Sequence, residues 1–429
     1  MRRAIGVDFG TTNSALALAV GTDAPPQLAH FERAGDTPTP TFRSLLYLER
    51  DAEDGQRIVA RAGPSAIEAY LAADEPGRLM QSLKSFLANR DFSSTAVLGE
   101  SYRLEALIGI ILRQLREEAE AELGELPRRI VVGRPVRFAS ARDESDGELA
   151  LSRLAAAFHN AGFEEVVFEY EPVAAAYHYE RALDHDELIL IGDFGGGTSD
   201  FSLLRVGPKS RAAGRESAIL GNAGVAIAGD SFDAAIVRWV ISPLLGKGTE
   251  YRTMFDQVLR VPAWIYRHLE RWHHLSFLKS PQTLHILHDL CREGLKPERF
   301  EALLHLVKHD LGFELFRSVE GAKVALSEAR EASLHFAHAP VVIDETVYRG
   351  DFTSWIWDDL ESIASCVDDL LASSSVPPED VDRVFLTGGS SFVPEIRAIF
   401  MRRFGRDKLR TGSELTSVAS GLALRALEI

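Results

Sequence analysis

A two-lobed α/β fold assembled from two related halves is what this sequence predicts, and three observations predict it. The chain writes nearly the same phrase twice, first as Ile5-Gly6-Val7-Asp8-Phe9-Gly10-Thr11-Thr12-Asn13-Ser14 and later as Leu190-Ile191-Gly192-Asp193-Phe194-Gly195-Gly196-Gly197-Thr198-Ser199-Asp200. In both places an apolar run delivers an Asp to a glycine turn with hydroxyl side chains, and a second apolar strand follows, over 15–20 or 201–206. The copies stand far apart in a chain of 429 residues, long enough for two to four structural domains and a large core.

Glycines let backbone N–H groups turn inward on an oxyanion, and Thr or Ser hydroxyls add donors. An Asp at the end of the leading strand can hold Mg²⁺ or orient a water. Two such hairpins suggest a duplicated fold that clamps a phosphate chain between its halves. Plain tight hairpins also use Gly and Thr, but they do not need the same Asp twice. The Asp-Phe-Gly of protein kinases is a poor match, because no His-Arg-Asp loop or Val-Ala-Ile-Lys strand accompanies it.

The elements follow in order. β-Hairpins fill the chain to about Val59, including Pro38-Thr39-Pro40 and an apolar strand over 45–48, and a helical stretch follows over 64–73. Met80-Gln81-Ser82-Leu83-Lys84-Ser85-Phe86-Leu87 carries the one Lys of the first 200 residues. Residues 104–123 have helical period with a charged outer face. A strand over 129–136 ends at Pro135, a helix over 149–161 ends at Gly162, and a short strand spans 166–168. Glu171-Pro172 then opens an Ala-rich helix over 173–182. Asp184-His185-Asp186-Glu187 is the expected crossing, giving lobes over 1–184 and 185–429. The second lobe begins with the repeated hairpin and a third over 218–228, then turns into a helix at Ala228-Gly229-Asp230-Ser231-Phe232-Asp233. Residues 233–332 read almost entirely helical, an enlarged subdomain over about 230–335. A strand over 341–343, a helix over 352–373 and a Pro377-Pro378 break lead to the strand 383–386. That strand ends in Thr387-Gly388-Gly389-Ser390-Ser391, ahead of a helix over 393–404. A last helix, 417–427, is expected to pack back towards the first lobe.

Composition narrows the function. A hydrophobic fraction of 46% with 26% charged residues is that of an ordinary globular protein, and a net charge of −16 argues against a nucleic-acid surface. Met1-Arg2-Arg3 runs straight into a strand without a signal-peptide core, and no apolar run reaches membrane-spanning length. Two distant cysteines, Cys291 and Cys366, fit a reducing cytoplasm. Nine of the thirteen histidines fall between His268 and His338; pairs such as His305 and His309 have ligand spacing, but no Cys or carboxylate completes a set. Lysine is scarce: eight of the 47 basic residues are Lys, so each has weight, since Arg does not replace a compact ammonium on a phosphate.

The order of motifs resembles the ATPase domain of DnaK-type heat-shock chaperones, within the actin-like superfamily of duplicated ribonuclease-H-like domains. Ile5 to Ser14 resembles the first phosphate loop, and Asp193 to Asp200 the second. Val131 to Phe138 resembles the strand carrying the switch proline, Pro135, and Tyr170 to Ala176 the first connecting motif. Glu320-Gly321-Ala322-Lys323-Val324-Ala325-Leu326-Ser327 resembles the adenosine-binding helix, and Leu386 to Pro394 the second adenosine motif. The likeness runs along essentially the whole chain and is greatest to the short YegD-like members, which lack a peptide-binding domain.

The resemblance implies roles. Asp8, Lys84, Glu171, Asp193 and Thr198 would surround the γ-phosphate of ATP and its attacking water, with Asp8 and Asp193 positioning Mg²⁺ through water. Gly10, Thr11, Thr12, Asn13, Gly195, Gly196 and Gly197 would line the phosphates. Gly229, Asp230, Glu320, Lys323, Ser327, Gly388, Gly389, Ser390 and Phe392 would hold ATP or ADP at the nucleoside side. Val324 and Phe392 stand where the family has adenine-sandwiching arginines, which puts base choice in question. The arginine partner of Pro135 is unplaced, with Arg153 as a candidate. The leading expectation is a cytoplasmic, slow Mg-dependent ATPase that couples hydrolysis to lobe closure and does not hold extended peptides. A nucleotide-dependent switch and a small-molecule kinase are the rivals. A protein partner or client is expected without being identified, with the surface near Trp264, Trp272 and Phe277 as one place for it, or that subdomain's own core.

Overall fold

Where the sequence repeats its phrase, the computed structural model builds the same construction twice. Strand β1 (Arg3–Phe9) turns back antiparallel into β2 (Asn13–Val20), which pairs with the short β3 (Gln27–Leu28). On the other side β4 (Arg129–Arg134) and β5 (Glu165–Tyr170) run parallel to β1, giving the order β3-β2-β1-β4-β5. The second sheet repeats this with β6 (Glu187–Phe194), β7 (Ser199–Val206), β8 (Ile219–Val225), β9 (Arg383–Thr387) and β10 (Leu409–Arg410). Its order is β8-β7-β6-β9-β10, with the same pattern of strand directions. Asp8 and Asp193 are each the penultimate residue of a leading strand, facing Ala15 and Asp200 across their hairpins. This is the duplicated α/β fold that the sequence predicts.

The structure describes residues 2–21, 24–33, 36–51, 54, 57–73, 77–180, 183–213, 219–253, 255–410 and 417–429. The chain divides into two units, one of Met1–Ala228, Ser362–Ser391 and Ile396–Ile429, the other of Gly229–Glu361 and Phe392–Glu395. Both large sheets belong to the first unit. There α1 (Leu104–Leu123) turns Leu104, Leu107, Ile108, Ile111, Leu112 and Leu115 into a core shared with Ile5, Val7 and Phe9. That spacing is the 3.6-residue period of one helical face. Helix α2 (Glu144–Asn160) joins the same core through Ala150, Leu154 and Phe158, and Asp143 caps it by accepting a bond from the Asp146 N–H.

The other face of the first sheet is paved with small residues. Ala15, Ala17 and Ala19 meet Ala419 and Ala423 of the C-terminal helix Ser417–Glu428, and a Cβ on Gly6 would come within 2.3 Å of the Ala423 nitrogen. This helix also lies against α3 (Glu171–Glu180), where a Cβ on Gly421 would sit 1.7 Å from the Ala174 carbonyl oxygen. Only glycine permits that approach. Arg2 and Arg129 donate to the carbonyls of Leu427 and Ile429 and fasten the helix end to the sheet.

The second unit contains α4 (Gly229–Ile236), a π-helical turn over Val237–Ile241, α5 (Gly312–Glu328), α6 (Arg349–Trp355) and the start of α7 (Trp357–Ser373). The run expected to be helical over 233–332 is interrupted by a hairpin, Glu250–Arg252 with Val258–Arg260, after Gly246 and Gly248 take positive φ and stop the helix. The strand expected over 341–343 extends over Val341–Tyr348 and pairs with Glu331–His338. Leu334 and Phe336 alternate inward there against Val341, Ile343 and Val347. The helix expected over 352–373 breaks at the buried Ile356. Trp264 is half-buried, while Ala218 and the side chains of Trp272 and Phe277 lie outside the described residues.

The close approach of the C-terminal helix sets a test. Gly421→Ala should lower stability by about 3 kcal/mol, because added volume in a packed interior moves backbone. Gly147→Ala, in a helix with open space around it, should instead gain about 0.5–1 kcal/mol. Urea denaturation midpoints measure both, and equal tolerance at the two sites would refute the packing argument.

Candidate active site

Asp8, Lys84, Glu171, Asp193 and Asp200 come together in the first unit. Lys84 sits on a 3₁₀ turn, Leu83–Phe86, entered through Ser82 in the left-handed region (φ 57°). Arg153 of α2 secures the end of that turn by donating to the carbonyls of Leu87 (3.0 Å) and Asn89 (2.9 Å). Ser140 donates to the Ser85 carbonyl at 3.1 Å. So fixed, the Lys84 ammonium donates to Glu171 Oε1 at 2.8 Å, with both side chains buried. Glu171 is the first residue of α3, where the positive end of the helix favours a carboxylate.

The turns that end the leading strands are tightly drawn. A Cβ on Gly10 would fall 2.0 Å from the Asn13 carbonyl oxygen, and the Gly195 N–H donates to the Thr198 carbonyl at 2.9 Å. Gly388 takes φ +82°, and a Cβ there would meet the Phe194 carbonyl oxygen at 2.1 Å, so the turn after β9 lies directly on the second loop. Ser390 donates to the Gly195 carbonyl at 3.4 Å. From the same turn Thr387 donates to Asp193 Oδ1 at 2.7 Å and orients that carboxylate. A Cβ on Gly197 would lie 3.8 Å from both Thr11 Oγ1 and Ser85 Oγ, so the two loops and the Lys84 turn face one space.

Four carboxylates share a single ammonium. Loss of hydration, then the Glu171 charge, pushes Asp8 up to about 8 and Asp193 to about 6. Asp200 is pushed to about 8 by the same two causes, although Thr198 and the backbone N–H groups of Val136 (2.8 Å) and Arg137 (3.3 Å) donate to it. Burial works against the charge of Lys84, but Glu171, Asp8 and Asp200 outweigh it and hold the ammonium above its ordinary value. Such an excess of negative charge fits a cation, and an anionic ligand only when it brings a cation with it. Among the described residues no group of three or more His, Cys, Asp or Glu is placed to hold a metal ion directly.

Residues named from the sequence divide between the units. Gly10, Thr11, Thr12, Asn13, Gly195 to Thr198 and Gly388 to Ser390 belong to the first unit. Gly229, Asp230, Glu320, Lys323, Ser327 and Phe392 belong to the second. Within the second unit Lys323 donates to Asp233 Oδ2 at 2.8 Å, and burial followed by the Asp233 charge pushes Asp230 up to about 6. Val324, on the same helix, is 61% exposed, and Phe392 is 43% exposed. Arg153, the candidate partner of Pro135, serves the Lys84 turn. Three contributors had no role assigned from sequence: Asp200, Thr387 and Arg153 in its observed place. Asp200 closes the second phrase and Thr387 precedes its glycine pair, so those two carried a positional signal.

A family model described as Hsp70 protein matches residues 81–252 and 308–427, well over half of the chain. The chain belongs to the Hsp70 family. It has the nucleotide-binding, ATPase-type fold of these chaperones, whose members are generally ATPases that bind ATP or ADP with Mg²⁺. Between the matched segments lies 253–307, part of the stretch read from sequence as enlarged. Among the described residues no helix is long and apolar enough to cross a membrane.

The clustered carboxylates give a pH test in the absence of nucleotide and divalent ions. Their pKa values are raised on folding, so the stability they contribute is full below about pH 4 and is lost as pH rises through about 6 to 8. Asp200→Asn keeps an oxygen for the Val136 and Arg137 N–H groups but removes one titrating group. Urea midpoints should show the variant gaining on the natural protein between pH 5 and 8. A gap that does not change with pH would mean that Asp200 stays ionised throughout.

Proposed function

We propose that this Hsp70-family chain binds Mg-ATP where its two glycine loops face each other and hydrolyses it slowly, with water as the acceptor and lobe closure coupled to the cycle. The observation that carries this reading is the Lys84–Glu171 pair, held at 2.8 Å beside two strand-end aspartates in equivalent places. Backbone N–H groups of the loops at Gly10 to Asn13 and at Gly196 and Gly197 bind the phosphate oxygens, with the hydroxyls of Thr11 and Thr12 as further donors. Lys84 supplies fixed positive charge against the transferring phosphoryl group, where preorganised charge is worth most. Glu171 engages Lys84 through Oε1 and accepts from the attacking water through its other oxygen. Asp8 and Asp193 would hold Mg²⁺ through water, and when bound that ion neutralises phosphate charge. Thr387 keeps the Asp193 carboxylate in place. Glu320, Lys323, Ser327 and Phe392 serve the nucleoside.

A nucleotide-set switch is a second reading, supported by Asp200. Its carboxylate belongs to the second loop's strand yet accepts from the backbone just after Pro135, so movement of that loop bears on the Pro135 segment. In this reading a cytoplasmic partner or client senses the nucleotide state, and turnover is incidental.

Lys84→Ala should reduce ATP turnover about 10²-fold or more, because one well-placed charge in such a transition state is typically worth that much. Nucleotide binding, measured by calorimetry, should largely persist, since backbone N–H groups and the nucleoside contacts remain. The substitution also strands a buried Glu171, so Lys84→Ala/Glu171→Gln serves as the folding control. Turnover equal to that of the natural protein in either variant would remove Lys84 from catalysis.

Base choice should be loose. Val324 offers no cation to stack on an adenine, and Phe392 offers one ring face. A stacking or cation–π contact is worth roughly 0.5–2 kcal/mol, so ATP and GTP should differ by about ten-fold or less in affinity. Titrations with the two nucleotides measure this, and a strong adenine preference would show that other side chains read the base.

A further inference from the structure

Three of the five tryptophans fall close together in the second unit, outside every role given above. Trp239 and Trp355 stack with rings 6.4 Å apart and planes within 16° of parallel, and Trp357 opens the next helix. Trp239 is 54% exposed and Trp357 51%. The π-helical turn Val237–Ile241 carries Trp239, and such turns displace a side chain from the ordinary helical path. Single exposed apolar residues are commonplace, but a stacked indole pair with a third indole beside it in sequence is a patch.

Acidic residues outnumber basic ones near this patch in the sequence. Two of the cations, Arg238 and Lys247, are engaged by one carboxylate: Glu270 accepts from Arg238 at 2.8 and 3.0 Å and from Lys247 at 3.0 Å, while Arg349 donates to the Leu326 carbonyl. Helices α6 and α7 carry Asp351, Asp358, Asp359 and Glu361 within four residues of Trp355 or Trp357 in sequence, and Asp359 lies in the field of Arg238, next to Trp239. An indole face attracts cations, carboxylates strengthen the attraction, and a net charge of −16 steers a positive partner from a distance. An anionic partner is repelled on all three counts. A second copy of the chain would bring the same carboxylates against themselves. Tryptophan is also the residue most enriched where binding energy concentrates at interfaces.

We propose that the Trp239–Trp355 face is a docking surface for a basic, amphipathic segment of a partner protein. Arginine or lysine side chains of that segment lie over the indole faces beside Asp358 and Asp359, and its apolar residues pack on Trp357. This surface is separate from the nucleotide chemistry, and its test does not depend on turnover.

The test uses fluorescence anisotropy of the full chain with two labelled synthetic peptides, one of alternating Arg and Leu, the other of alternating Glu and Leu. The Arg peptide should bind and the Glu peptide should not, with affinity falling as salt is raised. Trp239→Ala should weaken binding about ten-fold, and Trp239→Phe should restore part of it. Asp358→Asn/Asp359→Asn should weaken binding and flatten its salt dependence. Unchanged thermal unfolding midpoints establish that the variants are folded. Equal binding of the two peptides, or of the natural protein and Trp239→Ala, overturns the proposal. So does sedimentation showing a micromolar dimer that Trp239→Ala dissolves, which would assign the face to a second copy.

Discussion

One ammonium among four carboxylates governs this molecule. Lys84 is the cation that Asp8, Glu171 and Asp193 share, and Asp200 adds its field from the neighbouring strand. Buried ions cost several kcal/mol each in lost hydration, and one lysine does not offset four of them. The imbalance pushes the Asp8 and Asp200 carboxyls up to about 8, and Asp200 is given three donors. It also leaves Asp8 and Asp193 partly exposed, where a hydrated cation and a phosphate chain can reach them. A place that is poorly neutralised by its own side chains is well suited to a ligand that brings positive charge with it. The surrounding construction keeps Lys84 from escaping: the left-handed Ser82 starts its turn, Arg153 holds the end, and Glu171 at a helix N-terminus receives the charge.

The two sheets explain why the carboxylates arrive at equivalent places. In each, a hairpin carries an Asp one residue before its turn, and a parallel strand lies alongside. What differs is the neighbour that faces each Asp. Asp8 looks across to Ala15, whereas Asp193 looks across to Asp200. Duplication supplied the frame, and the second copy gained an extra acid that the first lacks. The C-terminal helix then fixes the first hairpin's far side through Gly6, the alanines of β2 and Gly421. Because that packing leaves no room for a methyl group at Gly421, β1 and α3 hold a close, fixed separation. Asp8 and Glu171 ride on those two elements.

The frame was legible because it is written in local patterns. Continuous apolar runs, glycine turns and a repeated Asp survive as signals in a single chain. Lys84 and Glu171 were legible through their order among the family's motifs, since neither stands out by itself. Arg153 was not, because its partners are backbone carbonyls more than sixty residues away and backbone carbonyls leave no trace in sequence. Thr387 and Asp200 were within the quoted motifs, but a hydroxyl's partner is decided by strand pairing that joins β6 to β9 across nearly two hundred residues. The second unit was read less well. Gly246 and Gly248 were visible as helix stops, yet the many apolar residues around them outweighed two glycines. The alternation from Leu334 to His338 was likewise masked by neighbouring helical stretches.

The scarcity of lysine acquires a physical sense in this setting. The two largely buried lysines tied to single carboxylates, Lys84 with Glu171 and Lys323 with Asp233, each make a contact of 2.8 Å. An ammonium is a compact point charge on a thin stem and enters a site that a planar guanidinium would fill. Arginine is used where a fork is needed: Arg403 grips both oxygens of Asp368, and Arg90 reaches Asp143 and Asp146 together. Arginine thus ties elements to one another, and each of these two lysines makes its shortest contact with one acid. The two lysines so placed are also the two that the family resemblance assigns to nucleotide, one on the phosphate side and one on the nucleoside side. Residue choice and site chemistry agree, because both follow from how much space a positive charge needs.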